Sequence, residues 1–267
     1  MPDDVLRSIL ENQTVVTASG IERPLHSAIS QEEGVFLQRI IRGHKPKYTL
    51  EIGCAYGISS LYICEALRDV ASSPKHIVID YAQFFPYHRW AGEPGSGWEG
   101  IGLENLKRAG YESMVEFHEE RSHECLPGLL KKGVKIDFAL VDGAHTFDYV
   151  MVDFFFIDKL LNVGGIIVFD DTGYSSIRKV CRYVLTNMRY TSVGPSPSKG
   201  LSPFRSIMQR IISGGPLSRL AKPEAIALDE TIGLSREHNY VALRKEADDL
   251  IGIGQNATRR WDTHNPF

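Results

Sequence analysis

The central segment of the chain is Tyr48-Thr-Leu-Glu-Ile-Gly-Cys-Ala-Tyr-Gly-Ile-Ser-Ser-Leu-Tyr-Ile-Cys-Glu-Ala-Leu67. It begins with a short apolar run of strand type and turns through Gly53 and Gly57. Apolar residues then recur at helical spacing, which predicts a helix. A strand, a glycine turn and a helix make the first half of a dinucleotide-type α/β unit, which binds its ligand at the carboxyl end of the strand.

The spacing of this turn is Glu51-x-Gly53-x-x-x-Gly57, which differs from Gly-x-Gly-x-x-Gly. A pyrophosphate is bound by bare backbone amides at a helix N-terminus, and a carboxylate at Glu51 would repel it. A cationic ligand without phosphate suits the turn better, and S-adenosylmethionine fits because it carries a sulfonium and an ammonium group. The alternative is a structural turn in which Glu51 pairs with a local base.

The length of 267 residues and the ordinary apolar fraction of 43% predict one large domain, or one domain with additional segments. The formal net charge of −3 argues against a nucleic-acid partner. No apolar run long enough for a transmembrane helix occurs, and the acidic N-terminus lacks a signal-peptide core. We expect a cytoplasmic protein with reduced cysteines, since these are scattered: Cys54, Cys64, Cys125 and Cys181.

Strand and helix patterns alternate along the chain, which predicts a parallel sheet with right-handed crossovers. The expected fold is α/β, a doubly wound, mostly parallel, seven-stranded Rossmann-like sheet with helices on both faces. Its predicted parts are a helical lead-in (1–45), a cofactor-binding core (46–194), an insertion (195–237) and a last strand with a C-terminal tail (238–267). The helix of the lead-in begins at a capping box, Ser30-Gln-Glu-Glu33, and is expected to end at Gly43.

An acid also ends the second predicted strand, at Asp80. In these folds an acid at this place typically binds ribose hydroxyls, and the alternative is an Asp that caps a turn. The loop after it, residues 81–100, is rich in aromatic residues, glycine and proline. Because it follows the carboxyl end of a strand, we expect it to overhang the ligand crevice as a lid or substrate wall.

Three more acids end two later strands, namely Asp142 and the pair Asp170 and Asp171. Carboxylates that share a crevice repel one another unless a cation lies among them. Oxygen ligands select a hard divalent ion, Mg²⁺ first, and a hydroxyl bound to such an ion loses its proton more readily. His145 lies in the same loop as Asp142 and could act as general base. The alternatives are a helix cap, a turn residue and a packed loop histidine.

Several segments together resemble a known family. Glu51-Ile-Gly-Cys-Ala-Tyr-Gly-Ile-Ser59 resembles the cofactor loop of class I S-adenosylmethionine-dependent methyltransferases. Val141-Asp-Gly-Ala-His145 and Val163-Gly-Gly-Ile-Ile-Val-Phe-Asp-Asp171 look like the metal-dependent O-methyltransferase branch. Within that branch the segments are most similar to macrocin-type sugar O-methyltransferases and the cephalosporin-hydroxylase-like group, with catechol and caffeoyl-CoA enzymes more distant.

The resemblance implies a role for each matching residue. The methionine part of the cofactor would be wrapped by Glu51, Gly53, Ala55, Gly57 and Ser59. Asp80 would bind the ribose, and Ser122 would lie near the adenine. Metal would be held by Asp142, Asp170 and Asp171, with Asp142 also near the cofactor's amino group. His145 falls at the place of a catalytic base. Catechol enzymes carry Asp-Asn where this chain has Asp170-Asp171, so their phenol substrates are not implied.

The resulting hypothesis is a metal-dependent O-methyltransferase that acts on a hydroxyl of a small molecule of sugar, polyketide or phenol type. We also expect a homo-oligomer. A nicotinamide oxidoreductase is disfavoured by Glu51 and the glycine spacing. The remaining alternatives are a cofactor-binding module without turnover and a hydroxylase-like relative of the same fold.

The insertion carries an unusual charge pattern, because residues 172–223 contain no Asp or Glu and nine Lys or Arg. Within it, apolar residues lie on one face of a predicted helix: Phe204, Ile207, Met208, Ile211 and Ile212. One interpretation is a helix packed on the sheet or on a second subunit. The other is a basic amphipathic lid, flanked by glycine- and proline-rich hinges, that guides an anionic or lipid-like acceptor or touches an anionic membrane surface.

Overall fold

The structure is a computed structural model and describes residues 4–84, 87–89, 93–95, 97–195, 229, 232–234 and 237–248. Within these residues the helices are α1 (Asp4–Asn12), α2 (Gln31–His44), α3 (Ile58–Val70), α4 (Ile101–Arg108), α5 (Ser122–Lys131), α6 (Phe147–Leu160) and α7 (Ser175–Asn187). The strands are β1 (Thr14–Val16), β2 (Glu22–Pro24), β3 (Tyr48–Ile52), β4 (Lys75–Ile79), β5 (Tyr87–Arg89), β6 (Glu93–Gly95), β7 (Val115–His118), β8 (Ile136–Val141), β9 (Leu161–Phe169), β10 (Tyr190–Gly194) and β11 (Val241–Lys245).

Seven of these strands form one sheet in the order β10-β11-β9-β8-β3-β4-β7. Strand β3 pairs in parallel with β4 and with β8, and β4 pairs in parallel with β7. Strand β11 runs antiparallel to both β9 and β10. The predicted α/β class with a seven-stranded, mostly parallel sheet is therefore confirmed.

The described chain divides into two compact units, one of residues 4–144 and 149–165 and one of residues 145–148 and 166 onward. In the first unit the central strand β3 is buried from Thr49 to Ile52, because the strand has neighbours on both sides and apolar helices near it. Helix α3 is buried along almost its whole length, and Gly34 of α2 allows close approach, since a side chain there would overlap the ring of Tyr62.

The capping box at the start of α2 is confirmed, because the hydroxyl of Ser30 accepts the backbone amide of Glu33 at 3.1 Å. The helix continues past the expected end at Gly43 and stops at Lys45, which has a left-handed backbone with φ 55°. The amide of Lys45 donates to the Ile41 carbonyl at 2.7 Å, so the last turn is closed without a glycine.

Helix α5 begins earlier than its sequence suggests. The sequence pattern predicts one or two helical turns over 126–131, after an exit loop at 119–123, but the helix starts at Ser122 itself. The Arg121 carbonyl accepts the amides of Glu124 and Cys125 at 2.9 and 3.0 Å, which starts the helix upstream of Pro127. A proline inside a helix removes one hydrogen bond, and Pro127 lies in the second turn of α5.

Other differences concern short extended segments. The sequence Asn-Val-Gly-Gly at 162–165 predicts a turn that ends α6, yet strand β9 begins at Leu161 directly after the helix. The antiparallel pairs β1–β2 and β5–β6 were not predicted, because strands of three residues carry too little periodic signal.

Two predictions fall partly or wholly beyond the described part of the chain. The basic helix at 204–212 and the segments 196–200 and 214–216 lie outside the described residues, as do parts of the 81–100 loop. Within the residues described above, every helix is too short or too polar to span a bilayer.

Candidate functional site

The glycine turn after β3 has a backbone that only small residues tolerate. Gly53 and Gly57 have φ values of 88° and 75°, and Ala55 between them has φ 47°. A side chain at Gly53 would overlap the carbonyl oxygen of Asp142, whose own amide donates to the Ile52 carbonyl at 2.9 Å. The turn therefore packs directly on the loop that leaves β8, within the first unit.

The opposite side of the turn is covered by the start of α4. A Cβ at Gly57 would lie 2.9 Å from the carbonyl oxygen of Gly102, and one at Gly102 would lie 2.6 Å from that of Ala55. The Asn105 side chain also donates to the Tyr56 carbonyl at 3.0 Å. Contacts from both sides thus fix the backbone that was predicted to wrap the cofactor.

Asp80, the predicted ribose ligand, lies at the end of β4 and is 6% exposed. Its Oδ2 atom accepts the amides of Cys54 and Ala55, each at 2.9 Å, and the side chain of Gln83 at 3.1 Å. Its Oδ1 atom accepts the Ala82 amide at 2.7 Å. The carboxylate therefore joins the exit of β4 to the glycine turn.

Glu51 is fully buried and has a polar partner for each carboxylate oxygen. Oε1 accepts the hydroxyl of Ser59, and Oε2 accepts that of Ser60. The Nε2 atom of His76 lies 3.0 Å from Oε2, and its Nδ1 atom lies 2.9 Å from the hydroxyl of Thr49. This is the contact with a local base that the alternative interpretation of Glu51 described, and Ser59 is directed at Glu51 as well.

Ser122, predicted near the adenine, is the first residue of α5 and is 9% exposed. Its neighbour in space is Asp153 of α6, which is 1% exposed and has no hydrogen bond of ordinary geometry within the described residues. Burial raises the pKa of Asp153 to about 6, although the Ser122 hydroxyl acts in the opposite direction. A buried carboxyl group with a raised pKa thus lies beside Ser122.

In the second unit, Asp170 and Asp171 follow β9. The amide of Asp171 donates to Oδ1 of Asp170 at 2.5 Å, and Asp171 has a left-handed backbone with φ 54°. Oδ2 of Asp171 lies 3.0 Å from Nε2 of His145, and Oδ1 accepts the side chain of Asn239 at 2.6 Å. These contacts hold the pKa of Asp171 below its usual value, with the hydrogen bond to His145 as the largest cause.

The ring of His145 is held on a second side as well. It stacks on Tyr174, with the ring centroids 5.1 Å apart and the planes 17° apart. The backbone carbonyl of His145 accepts the hydroxyl of Ser176 at 2.5 Å. His145 is thus held on two sides, while 39% of its side chain is exposed.

Several residues that hold these sites together were missed in the sequence. His76 had no local signal, because its contact with Glu51 depends on the register of β3 against β4. Gln83 lies three residues past Asp80, where a turn partner is common. Tyr174 and Asn239 had no local signal, since their contacts depend on the tertiary fold.

Comparisons with known proteins agree with this architecture. Residues 50–172 match the family model described as "Methyltransferase domain". Over 145 residues the chain is 32% identical to tapetum-specific methyltransferase 1 of Arabidopsis thaliana, covering 53% of each protein. Over 166 residues it is 30% identical to caffeoyl-CoA O-methyltransferase 2 of Petunia hybrida, covering 58% of this chain and 61% of that protein. The chain thus spans about half to three-fifths of the curated relatives it matches.

A solved structure gives the same result for the fold. The O-methyltransferase TomG from Streptomyces achromogenes, solved in complex with SAM, superposes with a TM-score of 0.55 at 21% identity, over 75% of this chain and 86% of that one. Residues 50–172 therefore match a methyltransferase domain, and the solved structure shares the fold of the chain. The Petunia protein and TomG are both named O-methyltransferases, the family that the sequence motifs resemble.

Proposed function

We propose that this chain is an S-adenosylmethionine-dependent, divalent-metal-dependent O-methyltransferase that methylates a hydroxyl of a small molecule. The observation that carries the proposal is the extent of the methyltransferase-domain match. It covers residues 50–172, and every residue predicted to bind cofactor, to bind metal or to act as base lies within that range.

For the cofactor, the glycine turn supplies a fixed backbone beside Asp80 and Ser122. Both oxygens of Glu51 are occupied by hydroxyl groups of α3, so Glu51 acts on the cofactor by fixing the turn and by its negative charge near the sulfonium side. Asp80 is assigned to the ribose. A carboxylate oxygen has two lone pairs, and Oδ1 uses one of them for the Ala82 amide, so the other can accept a ribose hydroxyl.

The residues fit the metal that the class implies. Asp142, Asp170 and Asp171 offer only carboxylate oxygens, the donor type that Mg²⁺ prefers, with His145 beside Asp171. A bound Mg²⁺ would supply charge neutralisation and a lowered pKa for an acceptor hydroxyl. His145, oriented by Asp171 and Tyr174, would take that proton at the imidazole. The remaining contribution is the in-line positioning of acceptor oxygen and methyl group.

The proposed reaction sets one chemical requirement for the acceptor, which is a hydroxyl group that can lose its proton. Sugar, polyketide and phenol hydroxyls all meet the requirement for an acidifiable oxygen. The name of the Petunia relative supports the phenol type among them. An acceptor panel should therefore contain adjacent diols of sugar and catechol type together with single hydroxyls.

The test is acceptor-dependent formation of S-adenosylhomocysteine by the full chain, measured with methyl-labelled S-adenosylmethionine and Mg²⁺. Transfer of label to an acceptor oxygen, lost in Asp170→Asn, is the expected result. Cofactor binding without transfer to any acceptor would indicate a non-catalytic binding module. Calorimetric binding of NAD in place of S-adenosylmethionine would overturn the proposal.

A further inference from the structure

A second group of metal-binding side chains lies in the first unit, where β7 leads into α5. It consists of His118 at the end of β7, Glu120 in the exit loop and Cys125 in α5. One ligand atom from each lies within 4.8 Å of those from the other two. The Nδ1 atom of His118 and the Oε1 atom of Glu120 are 3.8 Å apart. None of these residues takes part in the proposed methyl transfer.

The ring of His118 is oriented by a carboxylate on its other side. Its Nε2 atom lies 3.2 Å from Oε1 of Glu116, and the second oxygen of Glu116 accepts the Lys75 ammonium at 3.3 Å. With the Nε2 proton donated to Glu116, the lone pair of Nδ1 is directed at Glu120. A carboxylate that holds the remote nitrogen of a histidine is the usual outer contact of a metal ligand.

We propose that His118, Glu120 and Cys125 bind a thiophilic divalent ion such as Zn²⁺, with solvent in the remaining coordination position. Bond lengths of about 2.0–2.3 Å from Zn²⁺ to N, O and S ligands place neighbouring ligand atoms about 3.3–3.8 Å apart. The His118–Glu120 separation already meets this requirement. The two separations to the Cys125 sulfur are at most 4.8 Å, so each must close by up to about 1 Å. Glu120 can make its part of this shift because 52% of its side chain is exposed.

The donor set separates this site from the acidic residues of the proposed active site. A thiolate and an imidazole select Zn²⁺ or Co²⁺, whereas the oxygen-only set of Asp142, Asp170 and Asp171 selects Mg²⁺. The two sites should therefore bind different ions in the same sample without competition.

Binding at Cys125 involves a proton. The side chain is 4% exposed, and burial followed by the charge of Glu120 raises the pKa of its thiol to about 12. The metal–sulfur bond forms as the thiol proton leaves to solvent, so the affinity for the ion increases as pH rises. Free Cys125 is correspondingly unreactive at neutral pH.

The ion would join the β7 exit loop to the first turns of α5, with Ser122 between the two ligands Glu120 and Cys125. Under the proposed function Ser122 faces the adenine, so occupancy would stiffen that end of the cofactor site. This consequence depends on the proposed function, whereas the metal site itself does not.

The test is Co²⁺ titration of the reduced, metal-free full chain, followed by absorbance. We expect a thiolate-to-cobalt charge-transfer band that Zn²⁺ abolishes and that excess Mg²⁺ leaves unchanged. Cys125→Ser should remove the band, while Cys181→Ala, a change at another buried cysteine, should keep it. Glu116→Gln should weaken Zn²⁺ binding about 10–100-fold, measured by competition with a chromophoric chelator.

Glu120→Gln provides a variant at an exposed side chain, for which folding is not at risk, and it should also weaken Zn²⁺ binding. The inference is overturned if wild-type protein gives no charge-transfer band, or if the band persists in Cys125→Ser. Because the readout is spectroscopic, failure of methyl transfer would leave this result unaffected, and failure of the band would leave methyl transfer unaffected.

Discussion

Nε2 of His145 and Oδ2 of Asp171 lie 3.0 Å apart, and the other oxygen of Asp171 is held by Asn239. The pair is a histidine oriented by a carboxylate that is itself anchored. Such an arrangement fixes the orientation of the imidazole, which under the proposed function would accept a proton from the acceptor hydroxyl.

His145→Ala should lower turnover by about 10²–10⁴-fold, the usual contribution of a general base, with little change in S-adenosylhomocysteine affinity. Tyr174→Phe is the matched control, because it keeps the stacked ring beside His145 and should retain near wild-type turnover. Single-turnover kinetics and calorimetry measure the two quantities. Wild-type turnover in His145→Ala would assign the proton transfer to solvent or another group.

Asp80→Ala should weaken S-adenosylhomocysteine binding by about 1–3 kcal/mol from a micromolar-range starting affinity, because a charged hydrogen-bond acceptor is lost. The same change frees the amides of Cys54 and Ala55 and loosens the glycine turn. Asp69→Ala, an exposed carboxylate of α3, is the control and should bind normally. Unchanged calorimetric affinity in Asp80→Ala would remove Asp80 from the cofactor site.

Activity should disappear after exhaustive chelation and return with Mg²⁺, because the carboxylates of Asp142, Asp170 and Asp171 need a hard cation to bring acceptor oxygens among them. Asp170→Ala should bind cofactor but transfer no methyl group. Full activity in either experiment contradicts the metal-centred mechanism. Chelation would also remove Zn²⁺ from the proposed site at Cys125. Repeating the assay with Cys125→Ser, which lacks that site, separates the effect of Zn²⁺ from that of Mg²⁺.

Asp229→Asn should destabilise the second unit by about 3–5 kcal/mol, the typical effect of breaking a buried ion pair. Asp229 is fully buried and accepts hydrogen bonds from Arg178 and Arg182, with its Oδ2 2.9 Å from both guanidinium groups. Burial raises its pKa, but the two arginines outweigh burial and lower it. Asp4→Asn, in an exposed pair with Arg7, should change little.

The lowered pKa of Asp229 also predicts how the stability of the protein changes with pH. A carboxyl group whose pKa falls on folding stabilises the protein above its unfolded value of 3.8, and that stability is lost as pH falls below it. Wild-type stability in denaturant should therefore decrease in acid more steeply than that of Asp229→Asn. Parallel acid limbs for the two proteins would contradict the assignment.

The raised pKa of Asp153 predicts the opposite dependence of stability on pH. Its pKa rises on folding from 3.8 to about 6, so its contribution is present at low pH and is lost as pH rises through about 6. The loss is at most about 3 kcal/mol, since one pKa unit corresponds to about 1.4 kcal/mol. Asp153→Asn should remove this decline between about pH 4 and 6 in denaturant titrations. The contribution of Asp153 is excluded if the free energy of unfolding of the wild type rises over that interval and the variant shows the same rise.

Sequence patterns predicted those parts of the fold that depend on local periodicity. Strand β3 and the start of α3 were placed correctly, because a buried apolar run, a glycine turn and a helical repeat are readable within twenty residues. The alternation of strands and helices agreed with the predicted class, and Asp80, Asp142 and Asp170 directly follow the ends of β4, β8 and β9.

Contacts between distant segments were not readable in this way. Asp229 meets Arg178 and Arg182 across 51 and 47 residues, and no local pattern marks such a pairing. His76 and Glu51 meet only because two parallel strands share a register. The early start of α5 depends on a carbonyl of Arg121 whose hydrogen bonds become visible only in three dimensions.

Gly53 has no side chain, and this restricts the substitutions that position 53 tolerates. The space a methyl group would need is already filled by the carbonyl of Asp142, so any replacement displaces the exits of two strands together. In a saturation library, selection for folding and selection for methyl transfer should both return glycine at position 53. At the solvent-accessible His145 the two selections should diverge, with many residues surviving the first and one surviving the second.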